Sequence, residues 1–353
     1  MKDLSAILSK RIRTEGPIRF DDYMQLCLTH TECGYYSGKE PLGADGDFTT
    51  APEISQMFGE LIGLSLAMAW KYQNEPTPFT IAELGPGRGT LMADALRASK
   101  KVPGFNENCS LHLVETSHKL RNLQKNLIGH DNIVWHQNVE TLPHQPLFLV
   151  ANEFFDALPV RQVIRDGTKW RERHVGFECG KFLNTYGSPK EVPELSHRIN
   201  ETRDGDVVEF SPTAMKIAKH IGEILQTYGG VAIIVDYGDW RSLGDTIQSV
   251  RSHRGSCPLE IPGMADISAH VDFEALATYS PSAHSRLTPQ HLYLERLGIN
   301  TRAKMLETNL TGSALKQHIA AHRRLTHKSE MGNLFKVMAL YPRDAAPPPG
   351  LEK

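Results

Sequence analysis

The sequence predicts an α/β fold built on a doubly wound, mostly parallel Rossmann-like sheet, and three observations carry that expectation. Short, continuously apolar runs alternate with stretches of helical periodicity from residue 79 onward, which is how parallel strands read when helices cover both faces of their sheet. A turn with three glycines, "AELGPGRGTL" at 82–91, closes the first run, and sheets of this kind bind ligands at the carboxyl ends of their strands. Between the fourth and fifth runs the alternation stops, and residues 159–187 carry the turn signals "RDG" and "ECG" between strand-like stretches, the pattern of an antiparallel insertion.

The elements follow in order. "MKDLSAILSKRIRTEG" places Leu4, Ile7, Leu8 and Ile12 at helical spacing, so the chain opens with a short amphipathic helix rather than a signal peptide or membrane span. "SQMFGELIGLSLAMAWKYQ" at 55–73 is a core-packing helix that stops at the proline-containing "NEPTP". The strands are then "FTIAEL" (79–84), "LHLVE" (111–115), "NIVWHQN" (132–138), "LFLVANE" (147–153), "VAIIVDYG" (231–238) and "LFKVMALY" (334–341). The expected division is an N-terminal helical or lid region over 1–75, a ligand-binding core over 76–158 and 206–342, an inserted antiparallel substrate region over 159–205, and a disordered, proline-rich tail over 343–353. No internal repeat is present.

Composition narrows the classes. Lys and Arg total 39 against 41 Asp and Glu in 353 residues, so no nucleic-acid partner is expected on charge. The five cysteines, Cys27, Cys33, Cys109, Cys179 and Cys257, form no C-x-x-C pair, which points to reduced thiols rather than a disulfide frame or a zinc site. No presequence stands out, and the expected compartment is a bacterial cytoplasm, with the mitochondrial matrix as the alternative.

The glycine turn asks what it holds. A phosphate loop needs Lys followed by Ser or Thr after the last glycine, and Gly89 is followed by Thr90 and Leu91. A dinucleotide fingerprint needs a glycine at 90, which weakens that reading without removing it. What remains is E-x-G-x-G-x-G, spelled Glu83, Gly85, Gly87 and Gly89, a pattern that resembles class I S-adenosylmethionine (SAM) methyltransferases. Glu83 is expected to face a cation, the methionyl ammonium or its water. Glu115 ends the second strand one βα unit later, where nucleotide-binding sheets place an acid for ribose hydroxyls. Asn138 and Val139, after the third strand, are candidates for the adenine, with a plain turn role as the alternative.

At the end of the fourth strand "ANEFFDALPV" gathers Asn152, Glu153 and Asp156. Acids there need a cationic or donor partner, and a guanidinium presents a planar fork that carboxylates grip in two places. The alternative is that Asn152 and Asp156 only cap the following turn. Asp236 and Tyr237 in "IIVDYG" are one further candidate pair. His318 and His322, spaced i,i+4, lack a third ligand and read as residues of a basic surface helix. No metal site is expected.

With these residues in place, the chain resembles the MidA-like family, the complex I assembly-factor type of SAM-dependent protein arginine methyltransferase. Further matches are "GPIRFDDYM", "GYYSGKEPLGADGDFTTAPEISQMFGELIG", "ANEFFDALPVRQ", "GDTIQSVRSHR", "PGMADISAHVDF" and "MGNLFKVMAL", which together span about residues 16–340. The resemblance implies SAM as cofactor, a protein substrate, and symmetric dimethylation of arginine on the 49-kilodalton-type subunit of respiratory complex I. It places Asp47, Thr50, Pro52 and Glu53 near the methionyl end or the substrate entrance. It leaves open a SAM-binding assembly factor without turnover, or a methyltransferase of another substrate class. Two stretches depart from the family pattern. "LTHTECGYY" replaces an aspartate-proline lead, and "LTPQHLYLERLGI" carries Pro289 and His291.

Overall fold

The computed structural model describes residues 3–38, 49–130, 132–251 and 254–353. The chain packs as two compact units, each assembled from three separate stretches.

The larger unit takes Thr49–Phe155, Met215–Asp239 and Phe273–Lys353. Its strands are β1 (Phe79–Leu84), β2 (Cys109–Val114), β3 (Ile133–His136), β4 (Leu147–Asn152), β5 (Gly230–Asp239) and β6 (Phe335–Tyr341). They lie side by side in the order β6, β5, β4, β1, β2, β3. Pairing is parallel from β5 to β3 and antiparallel only between β5 and β6. Every residue of β1 and of β4 is buried, which is why these strands read as unbroken apolar runs rather than as alternation. From β1 the chain winds out to β2 and β3, then returns to place β4 on the other side of β1. The order therefore reverses between β1 and β4, and a crevice at the carboxyl ends of that pair is where such sheets bind ligands.

Helices α1 (Gln56–Tyr72), α2 (Thr90–Ser99) and α3 (His118–Ile128) belong to this unit. Ser55 caps α1 by accepting a hydrogen bond from the Met57 N–H. Gly63 of α1 lies so close to α2 that an added Cβ would stand 2.5 Å from the Ala95 Cα. The buried Glu60 is gripped by Arg97 at 2.6 Å and Arg302 at 2.7 Å; burial alone would raise its pKa, but these guanidiniums hold it below the usual value. The expected disordered tail is corrected. Leu351 is buried in the core, the Pro349 carbonyl accepts from the Ser65 hydroxyl at 3.0 Å, and Glu352 pairs with Arg296 at 2.8 Å. Prolines removed helix and strand signals from this stretch, but its single leucine supplies an anchor.

The smaller unit takes Met1–Phe48, Asp156–Ala214 and Trp240–Asp272. The helix Leu4–Glu15 buries Leu4, Leu8 and Ile12. The expected insertion is an antiparallel sheet in which Lys169–Glu178 pairs with both Arg161–Asp166 and Lys181–Tyr186. Ile18 and Arg19 add to the same sheet opposite Val175 and His174. The N-terminal stretch and the insertion thus share one core, with Val160, Val175, Leu259 and Ile267 beside the N-terminal helix.

Candidate active site

The glycine turn leaves β1 with φ of +60° at Gly85, +53° at Gly87 and +91° at Gly89, all in the left-handed region. Gly85 has a second reason to lack a side chain, because an added Cβ would meet the Phe154 ring at 2.9 Å. The turn closes with the Gly89 N–H on the Pro86 carbonyl at 2.8 Å, and the Gly85 N–H bonds the Val114 carbonyl at 3.0 Å. Gly89 begins α2 without a capping side chain. Glu83, 3% exposed, supplies the acceptor from inside the fold by taking the Met92 N–H. The side chain expected to meet a ligand cation is thus directed at a helix N-terminus. Burial pushes its carboxyl up to about 8, against the smaller lowering from that N–H, and its buried Oε2 atom has no hydrogen-bond partner among the described residues.

Glu115 follows the last residue of β2. Its Oε1 accepts from the Ser117 N–H at 2.7 Å and its Oε2 from the Gln124 amide at 3.3 Å. Burial raises its pKa against these bonds. Gln124, fully buried, joins three elements. Its Nε2 also donates to the Gly87 carbonyl at 2.7 Å, and its Oε1 accepts from the Trp135 indole at 2.8 Å. Reading the sequence for acids and glycines missed Gln124. The available signal was its place four residues after Leu120, which puts it on the buried face of α3. β3 ends at His136, so Asn138 lies beyond the strand, exposed, and the buried Val139 opens a short turn of helix.

At the end of β4, Glu153 is one of four described non-glycine residues at positive φ, +50°, a conformation that costs on the order of 1–3 kcal/mol and collects at functional sites. Its N–H reaches the Val235 carbonyl at 2.9 Å. Its Oε1 accepts from the Ala51 N–H and from the Asn152 amide, both at 3.1 Å, while the buried Asn152 Oδ1 has no hydrogen-bond partner among the described residues. Asp236, fully buried, accepts the Phe154 and Phe155 N–H groups at 3.2 and 3.0 Å on Oδ2 and the Tyr237 N–H at 3.0 Å on Oδ1. The Thr50 carbonyl accepts from the Glu53 N–H at 3.0 Å, Pro52 sits in the first turn of Ala51–Ile54, and the Thr90 hydroxyl donates to Glu53 Oε1 at 2.5 Å. Asp47 lies outside the described residues. Asp156 is buried and belongs to the smaller unit, where its carbonyl accepts the Ala269 N–H at 3.0 Å. Tyr36 of that unit donates to Asp266 at 3.0 Å; burial first, then the Asp266 and Asp156 carboxylates, push its hydroxyl pKa up.

The family model described as "Putative S-adenosyl-L-methionine-dependent methyltransferase" matches residues 61–290. The chain belongs to this family of SAM-dependent methyltransferases. It is 34% identical to the protein arginine methyltransferase NDUFAF7, mitochondrial, of Xenopus laevis over 94% of this chain and 83% of that one. The Homo sapiens protein of the same name is 33% identical over 95% and 82%. A Burkholderia thailandensis superfamily member crystallised with S-adenosyl-homocysteine superposes with a TM-score of 0.84, at 26% identity, covering 98% of this chain and 93% of that one. The protein is therefore a SAM-dependent methyltransferase on a class I sheet. The site's features suit that cofactor: a backbone turn whose first glycine leaves no room for a side chain, an acid after β2, and the buried Asn152 Oδ1, which has acceptor capacity to spare among the described residues. Among the described residues no helix is long and apolar enough to cross a membrane.

Proposed function

We propose that the protein is an arginine N-methyltransferase that symmetrically dimethylates the 49-kilodalton-type subunit of respiratory complex I during assembly. The observation that carries this reading is Glu153. It is an acid in a strained backbone conformation at the carboxyl end of β4, beside the strand-order reversal, with one oxygen fixed by Ala51 and Asn152. The relatives named as protein arginine methyltransferases supply the substrate class.

Gly85, Gly87 and Gly89 would hold the methionyl and ribose portions of the cofactor, Glu115 the ribose hydroxyls, and Val139 one face of the adenine with Asn138 at its edge. Thr50 and Pro52 would complete the methionyl end. Glu53, fixed by Thr90, is the better-placed acid for the ammonium, since the Glu83 carboxyl is committed to α2. When bound, the sulfonium supplies an electrophilic methyl group. Guanidinium is protonated and a poor nucleophile, so Glu153 has two tasks. Its carboxylate draws the positive charge toward the nitrogens it touches, leaving density on the reacting one. It then accepts the proton which that nitrogen sheds, directly or through water. Asn152 is assigned as the orienting amide.

The test is mass spectrometry of the complex I subunit expressed with the wild-type protein, with Glu153→Gln, or alone. Dimethylarginine only with wild type, together with SAM binding retained by Glu153→Gln, is the expected result. An unmodified subunit that co-purifies with this protein would replace the enzyme reading on this substrate with that of an assembly factor. Loss of SAM binding in the variant would move Glu153 into the cofactor site.

A further inference from the structure

Glu153 stands in a left-handed conformation, and a buried carboxylate from the neighbouring strand lies against the residues that follow it. The parallel register of β4 and β5 sets Val235 opposite Asn152, so the next residue of β5, Asp236, arrives beside the turn that leaves β4. Its carboxylate, fully buried, accepts the N–H groups of the two residues that follow Glu153, at 3.2 and 3.0 Å on one oxygen, and its own neighbour's N–H at 3.0 Å on the other. Both N–H groups belong to the residues that directly follow the φ of +50° at Glu153. The same turn sets the Phe154 ring against Gly85 of the glycine turn.

We propose that Asp236 is the positioning residue of the transfer site. It touches neither substrate nor cofactor. It fixes the 153–155 turn so that Glu153 Oε1 stays on the Ala51 N–H and the carboxylate is presented in one orientation. The proposal rests on the reading of Glu153 as the guanidinium ligand, and the two can fail separately. An asparagine at 236 keeps the shape, but its NH2 group must face backbone donors, so one side of the cradle is lost.

The experiment compares wild type, Asp236→Asn and Asp236→Ala. It uses calorimetric SAM affinity, kcat and KM for methylation of the complex I subunit, and crystal structures of wild type and Asp236→Asn. The expected Asp236→Asn enzyme binds SAM within about threefold of wild type and keeps its KM, while kcat falls by on the order of tenfold or more, as misplacement of a reacting group does. In its crystal structure Glu153 leaves the positive-φ region and loses the Ala51 contact. Asp236→Ala should fall further in kcat if it folds; if it does not, the asparagine variant decides. An asparagine variant with Glu153 still at positive φ overturns the proposal, as does an unchanged kcat or a loss of SAM affinity that matches the loss of turnover. If the wild-type enzyme leaves the subunit unmethylated, the arginine reading fails, while the Glu153 conformation in Asp236→Asn still decides whether Asp236 sets it.

Discussion

Glu83 has a task inside the fold, where it accepts the Met92 N–H near the start of α2. A carboxyl pushed up to about 8 by burial is protonated in the folded protein at neutral pH and ionised in the unfolded chain, whose carboxyls titrate near about 4.3. Between those values the folded state binds the extra proton, so stability is highest at the acid end and falls as pH rises, by at most about 1.4 kcal/mol per pH unit for this group, levelling off once the folded carboxyl has ionised. Glu83→Gln keeps an acceptor for the Met92 N–H and removes the proton. The expected outcome is a variant whose urea midpoint, corrected for other groups by comparison with wild type, gains on wild type steadily from pH 5 to pH 8. Parallel midpoints across that range would mean that the carboxyl is ionised in the fold. The sequence made Glu83, Gly85 and Glu115 visible because acids and glycines are chemically distinctive. It hid Gln124, whose part depends on where a neutral amide points, and the backbone N–H of Ala51, which belongs to no residue type.

At the scale of elements, the strands of the sheet were readable because burial on both faces leaves nothing but apolar side chains, as in "FTIAEL". The limits of β3 were less so. His136 and Asn138 look alike to a polarity pattern, and only the ladder, which ends at Val114 opposite His136, separates them. The contact of α1 with α2 was written in glycine rather than in hydrophobicity. In an exposed helix Gly→Ala gains about 1 kcal/mol through propensity. At Gly63 the new methyl would stand 2.5 Å from both the Cα and the carbonyl oxygen of Ala95, and backbone atoms cannot rotate away. Gly63→Ala should therefore destabilise by about 1–3 kcal/mol, the usual cost of overpacking, seen as a lower urea midpoint with an unchanged slope. A midpoint equal to or above wild type would mean that the two helices separate freely. Because α2 starts at the cofactor turn, weaker SAM binding should accompany the loss.

At the scale of the whole chain, its division could not be read along the sequence. Residues that share a core are far apart in it: Ile18 pairs with Val175, and the helix Leu4–Glu15 packs with Ile267. No local pattern records such partners, so the N-terminal helix and the insertion looked like independent additions. The tail is the same lesson in reverse, since "PRDAAPPPGLEK" has the composition of disorder and its anchoring comes from distant contacts. Gly350, at φ +88°, has the ring of Tyr293 2.8 Å from where a Cβ would stand, and the Ser65 hydroxyl of α1 bonds the Pro349 carbonyl. Leu351 fills the remaining space. Burying a leucine is worth roughly 1.5–3 kcal/mol, and the Arg296–Glu352 pair, half exposed on its acid side, adds at most about 1 kcal/mol. Deleting residues 343–353 should therefore cost about 2–4 kcal/mol and uncover Tyr293, while Leu351→Ala alone should account for most of that loss. Urea unfolding of the two variants checks this directly. If truncation lowers the midpoint and Leu351→Ala does not, the proline-rich backbone rather than its anchor stabilises the core; if neither does, the tail packs without contributing.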